Sequence, residues 1–209
     1  MSSPETYRQP PTTDLETVRA NMIASTEQKL SEVARLRESL AAAFPIEEAA
    51  HAIATRLLQG GRLLTFGNGA SATDAAALAW TFTHPPYGTP LAAVSLAADA
   101  ATMSGLSNDV SFAVTFSRLL ASLAREHDVA VGISTHADSL NVLRGLNEAR
   151  RLGLLTVGFA GNTGGKMAAA GDCQYLFVIP TASAHRIQEA QTTLFHLLWK
   201  CVQDSVKTR

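Results

Sequence analysis

The sequence predicts an α/β fold: a doubly wound, five-stranded parallel sheet flanked by helices, with two further helices ahead of the first strand. Three observations carry this prediction. Past Gly61 the chain alternates short β-rich runs with helical ones. Runs such as Val129-Ala130-Val131-Gly132-Ile133 are apolar without interruption, as strands covered on both faces are. The segments that leave the first and third of these runs are built from small and hydroxyl-bearing residues, and in an open parallel sheet it is those loops that meet a ligand.

Taken in order, residues 1–12 are polar and hold three prolines, which suits a flexible tail. The rest, 13–209, reads as one domain including its helical extension. Over 13–44, Leu15, Val18, Met22, Ile23, Leu30, Val33, Leu36 and Leu40 recur at helical spacing. Pro45 stops that helix, and a second over 46–58 ends at Gly60-Gly61. Each carries a narrow apolar stripe that needs a partner, and a neighbouring subunit is a candidate. Strands follow at 62–66, 91–95, 129–134, 154–159 and 175–179. Helical segments fall at 72–84, 98–106, 111–126, 138–152 and 165–170, before a long helix over 184–205. No internal repeat is visible.

Composition narrows the function classes. Of 209 residues, 46% are hydrophobic and 17% charged, which is too apolar for disorder. A net charge of −1 argues against a nucleic-acid partner. Cys173 and Cys201 form no CxxC pair, so free thiols in a reducing compartment are expected. The start, Met1-Ser2-Ser3-Pro4-Glu5, has neither the basic end nor the apolar run of a signal peptide. No apolar stretch approaches the ~20 residues that span a bilayer. The expected location is cytoplasmic, away from membranes.

Two loops follow equivalent strand ends: Gly67-Asn68-Gly69-Ala70-Ser71-Ala72-Thr73 and Ser134-Thr135-His136-Ala137-Asp138-Ser139. Hydroxyls and free amides at a helix N-terminus favour an anion, a phosphate ester included. Singly, Ser71, Ser134 or Ser139 serves equally well as a helix cap. Two such loops at matching positions point to a ligand. A dinucleotide is not indicated: Ala72 stands where GxGxxG needs its last glycine, and no acid ends the second strand.

With these residues in hand, the chain resembles a family. GNGAS at 67–71, ND at 108–109, FSR at 116–118, GIST at 132–135, GGKM at 164–167 and RIQE at 186–189 occur in order and in register. Together they resemble the sugar isomerase (SIS) domain, in its phosphoheptose isomerase branch, over about residues 14–203. The resemblance implies the SIS fold, a homotetramer with active sites between subunits, and isomerisation of sedoheptulose 7-phosphate, often with zinc bound. It implies that Asn68, Gly69, Ser71, Ser134, Thr135 and Ser139 hold substrate, the last three mainly its phosphate, with Asp109 near the sugar. Gln188 and His196 fall where the family has a zinc ligand and a ligand that also moves protons. They lie eight residues apart on one helix, about an 80° offset and ~12 Å of rise, too far for one metal without further donors.

The sequence also departs from that pattern. The His and Glu that the family places four residues apart, as base and metal ligands, are here Ala77 and Thr81. Neither takes up a proton, and half the zinc site is missing. His84, one turn on and before Pro85-Pro86, either reaches the site or caps its helix. Glu189 is a candidate base and equally a helix N-terminal acid. His196 is either a lone acid/base or a packed histidine. His185 could reach a neighbour's ligand, and His51 and His127 read as surface residues. His136 and Asp138 replace a Ser and an Asn of the pattern. Asp138 beside a phosphate must face solvent or cap a helix, and His136 could supply a cation. Trp80 and Phe82 either narrow the pocket or pack. Three readings follow: a metal-independent or rewired isomerase with His196 and Glu189 or His84 carrying protons, a non-catalytic phosphosugar binder similar to the DnaA initiator-associating protein, or a purely structural oligomer with a vestigial site. The retained Ser71, Ser134, Thr135, Ser139, Gln188 and His196 argue against the last.

Overall fold

The computed structural model describes residues 14–43 and 45–207. The tail expected over 1–12 lies outside them, as does Phe44. Helix α1 (Leu15–Ala43) opens where the Asp14 carboxylate accepts the Glu16 N–H and the Thr17 hydroxyl, each at 2.8 Å. Its periodic apolar residues are not buried: Leu15 is 85% exposed, and Met22, Ile23 and Leu30 are exposed as well. The side chains of Val33, Leu36 and Leu40, read as part of the same stripe, lie outside the described ones. Pro45 precedes helix α2 (Ile46–Leu58), which buries Ile46, Ala49, Ala50, Ile53, Ala54 and Leu57. Gly60, at φ +90°, turns the chain into the sheet.

Five strands follow: β1 (Leu63–Gly67), β2 (Ala93–Ser95), β3 (Val129–Ser134), β4 (Leu155–Gly161) and β5 (Tyr175–Ile179). They form one all-parallel sheet in the order β2-β1-β3-β4-β5. Every residue of β1, β3 and β4 is buried, which is why these strands are apolar apart from the hydroxyls of Thr65, Ser134 and Thr156. Between them lie α3 (Ala70–Thr83), α4 (Ala100–Leu106), α5 (Thr115–Leu123), α6 (Leu140–Arg151) and α7 (Gly165–Ala170). Helix α8 (Ala184–Lys207) ends the described chain.

Two apolar layers sandwich the sheet. One packs Ile53, Leu78, Phe82, Leu194, Phe195 and Leu198 of α2, α3 and α8 against Val131, Ile133, Val157, Phe159 and Phe177. The other packs Phe116, Leu120, Val142, Leu146 and Met167 of α5, α6 and α7 against Leu64, Phe66 and Ala130. The SIS-type α/β architecture expected from the sequence is the one observed. Its largest local difference lies at 98–126. There α4 passes into a π-helical turn (Ser107–Ser111) and a 3₁₀ turn (Phe112–Val114) before α5, which stops at Leu123. Strand β2 begins only at Ala93, because the Leu91 N–H turns back to the Phe82 carbonyl at 2.8 Å.

Candidate functional site

In this strand order the connections run to opposite sides of β1 and β3, so a crevice opens beyond the carboxyl ends of those two strands. Both Ser/Thr loops lie there. The chain leaves β1 through Gly67, where an added Cβ would meet the Ser71 carbonyl at 2.7 Å and the Ile133 carbonyl at 2.9 Å. Gly69 follows at φ +53°, ψ −125°, a conformation open to glycine, and α3 begins at once. Ser71 is buried, with its N–H bonded to the Asn68 carbonyl at 3.0 Å. Beyond β3, the Ala137 N–H donates to Ser134 Oγ at 3.1 Å, and the Ser134 hydroxyl donates to Ser139 Oγ at 3.3 Å. Ala137 sits at φ +58°, which curls the loop around those two hydroxyls. Thr135 Oγ1 lies 3.1 Å from His136 Nδ1, and His136 is exposed.

The turn after β1 is tied to the first turn of α6, just past the hydroxyl loop. Asn68 Nδ2 donates to Asn141 Oδ1 at 2.8 Å, and Asn141 Nδ2 donates back to Asn68 Oδ1 at 2.9 Å. Sequence reading did not single out Asn141. Its signal was faint, an amide at the second position of α6 just past the hydroxyl loop. Asp138 points away from the loop's hydroxyls: its carboxylate accepts the Lys166 N–H at the start of α7, at 3.0 Å. It therefore caps a helix, though a different one from the helix it precedes.

On α8, Gln188 donates to Asp74 Oδ2 of α3 over a long 3.5 Å. Burial pushes the Asp74 carboxyl above its usual range, against the pull of that N–H. Sequence reading did not single out Asp74 either. Glu189 pairs with Lys29 and with Arg186, the latter at 3.3 Å. Burial pushes its carboxyl up, but the two cations together outweigh burial and hold it below the usual glutamate range. His196 is exposed, two turns beyond Gln188. Asp109 is exposed in the π-helical turn, its Oδ1 accepting Asn108 Nδ2 at 2.8 Å. The remaining histidines are scattered: His84 stacks on the 62%-exposed ring of Trp80, centroids 3.8 Å apart, and His185 is exposed. His51 lines a cleft of about 410 Å³ with Glu47, Cys201, Asp204 and Ser205. Phe82 is in the core.

Zinc does not fit the residues present. Ala77 offers no donor, and the Thr81 hydroxyl is turned back onto the Ala77 carbonyl at 2.9 Å. Among the described residues, no three or more His, Cys, Asp and Glu side chains are grouped to hold a metal ion. Nor, among the described residues, is any helix long and apolar enough to cross a membrane.

Known proteins are similar to this chain in sequence and fold. Residues 28–161 match the family model of the SIS domain. A phosphoheptose isomerase of Aquifex aeolicus is 39% identical over 166 residues, 78% of this chain and 86% of the relative. One from Desulfovibrio desulfuricans is 43% identical over 169 residues, 79% of this chain and 80% of the relative. A solved phosphoheptose isomerase from Neisseria gonorrhoeae superposes with a TM-score of 0.81 at 30% identity, covering 90% of this chain and 99% of that one.

Proposed function

We propose, starting from the fact that the chain belongs to the phosphoheptose isomerase family of SIS-domain proteins, that it binds sedoheptulose 7-phosphate and interconverts it with its aldose isomer. The observation that carries this reading is the pair of hydroxyl-lined loops held together at the strand switch point by Asn68 and Asn141. Ser134, Thr135 and Ser139 take the phosphate, with the N-terminus of α6 behind them. Asn68, the Gly69 backbone, Ser71, Asp109 and Gln188 meet the sugar. Isomerisation carries a proton from the carbon beside the carbonyl to the former carbonyl carbon through an enediol, while the oxygens exchange theirs. His196 is the group assigned to that transfer. Glu189, held ionised by Lys29 and Arg186, is the poorer proton acceptor and helps to fix α8. With interface-built sites the working form is a homotetramer, acting in the cytoplasm, where sugar phosphates are retained.

Ala77 and Thr81 favour a second reading, a phosphosugar binder without turnover. One experiment separates the two: aldose formation from sedoheptulose 7-phosphate, with and without zinc, beside calorimetric binding. Turnover that disappears in His196→Ala with binding retained supports the isomerase. Binding without turnover removes it and leaves the binder. No binding of any heptose, hexose or amino-sugar phosphate removes both.

A further inference from the structure

Asn141 is the most completely bonded polar side chain of the crevice, and only 2% of it is exposed. An asparagine amide has two N–H donors and two acceptor lone pairs. Here Oδ1 accepts Asn68 Nδ2 at 2.8 Å and the Val142 N–H at 3.0 Å. Nδ2 donates to Asn68 Oδ1 at 2.9 Å and, more loosely, to Thr115 Oγ1 at 3.5 Å. All four capacities are used. The Val142 N–H must face Oδ1, so the Asn141 amide is locked in one orientation, and the reciprocal pair locks Asn68 in turn. Asn68, only partly buried, spends one donor and one lone pair on Asn141 and keeps one of each.

The chain of bonds continues. Thr115, itself fully buried, donates its hydroxyl to the Phe112 carbonyl at 3.0 Å. Phe112 opens the 3₁₀ turn that directly follows the π-helical turn bearing Asn108 and Asp109. Asn141 thus joins three stretches far apart in sequence: the turn after β1, the first turn of α6 just past the hydroxyl loop, and the start of α5.

We infer that Asn141 is a positioning residue for ligand binding: it fixes the Asn68 amide so that its remaining donor and acceptor face the crevice. The inference rests on the phosphosugar reading above. No other side chain does the same work. Aspartate has no N–H for Asn68 Oδ1 or Thr115 Oγ1, glutamine carries an extra methylene into a filled space, and leucine keeps the volume without any bond.

The test is a double-mutant cycle on the full chain, reading the Kd of sedoheptulose 7-phosphate by calorimetry for Asn68→Ala, Asn141→Ala and the double variant. Asn141→Leu is added as a volume-keeping control, and cooperative melting is checked for each. Asn141→Ala is expected to weaken binding about tenfold, and the double variant to stay within about twofold of Asn68→Ala, because both changes remove the same fixed amide. Asn141→Leu should weaken binding as Asn141→Ala does. Effects that multiply in the double variant, or binding by both Asn141 variants within about twofold of the parent, overturn the positioning role. Loss of cooperative melting in both Asn141 variants assigns the residue to folding alone and overturns it too. A parent chain that binds no sugar phosphate overturns the functional reading instead, an outcome recognisable before any variant is compared.

Discussion

Glu189 of α8 and Asp74 of α3, which is bonded to the adjacent Gln188, are carboxylates that their surroundings push in opposite directions. Glu189 is held below its ordinary range, so its ion pairs stabilise the fold above the unfolded-state value, and that contribution is lost as pH falls through the folded one. Replacing Lys29 with Met should lower stability near pH 7 by less than ~1 kcal/mol, since Lys29 is about half exposed. The difference should vanish in acid, where Glu189 is protonated; melting curves of both chains at the two pH values check this. Asp74 has the reverse sign. Its raised value favours the protonated, folded form, so its contribution is complete in acid and lost as pH rises through the folded value. Asp74→Asn keeps an oxygen for Gln188 and removes the buried charge. It should melt no lower than the parent near pH 7, and any advantage should shrink as pH falls to about 4. None of this was legible in sequence. Residue types marked Ser71, Ser134 and Ser139, but the partners of Asp138, Asn141 and Asp74 come from elements 28, 73 and 114 positions away, and no local pattern encodes such pairs.

At the scale of elements, the turn after β1 depends on glycine for two different reasons, and substitution separates them. Gly67→Ala places a Cβ against two backbone carbonyls that cannot swing aside. It should cost ~1–3 kcal/mol by overpacking and pull β1 from β3. Gly69→Ala meets nothing within 4 Å, so its cost, also about 1–3 kcal/mol, is purely conformational, from φ +53°. Urea unfolding measures both. Only Gly67→Ala should also shift near-ultraviolet signals from the aromatic pair Phe66 and Phe116, whose centroids are 5.1 Å apart. Elements were the most legible level. The strands at 129–134 and 175–179 and the helices at 46–58 and 165–170 stand where their apolar patterns put them. The strand at 129–134 is covered on both faces and reads as a continuous apolar run, and the helix at 46–58 packs one face and reads by its helical period. The helix expected to start at 111 starts at Thr115, and 107–110 carries no expected element, because π and 3₁₀ turns have no apolar period of their own.

At the scale of the molecule, the long helix α1 is anomalous for an isolated chain. Leu15, Val18, Met22, Ile23 and Leu30 lie exposed along it, more apolar surface than a solvated helix ordinarily shows. Among the described residues, polar contacts tie α1 to α8: Lys29 pairs with Glu189, and Arg186 donates to the Ser25 carbonyl at 3.3 Å. Those contacts orient the helix over α8 without covering its apolar side. The exposed His196 and Leu197 lie on that same α8. A second copy meeting α1 would bury the stripe and bring a neighbour toward the side of α8 that carries the proposed proton carrier. Hydrophobic association and a finished site are then one event. The consequence is measurable: light scattering at micromolar concentration should give a mass near four chains. Replacing Met22 and Ile23 together by Glu should shift it toward a monomer, since carboxylates do not tolerate burial at an apolar contact. If sites are shared between subunits, the same variant should lose sugar-phosphate binding while α2, the sheet and its helices still melt cooperatively. A parent chain that runs as a clean monomer, or a dissociated variant that binds unchanged, would mean that each chain holds its site alone.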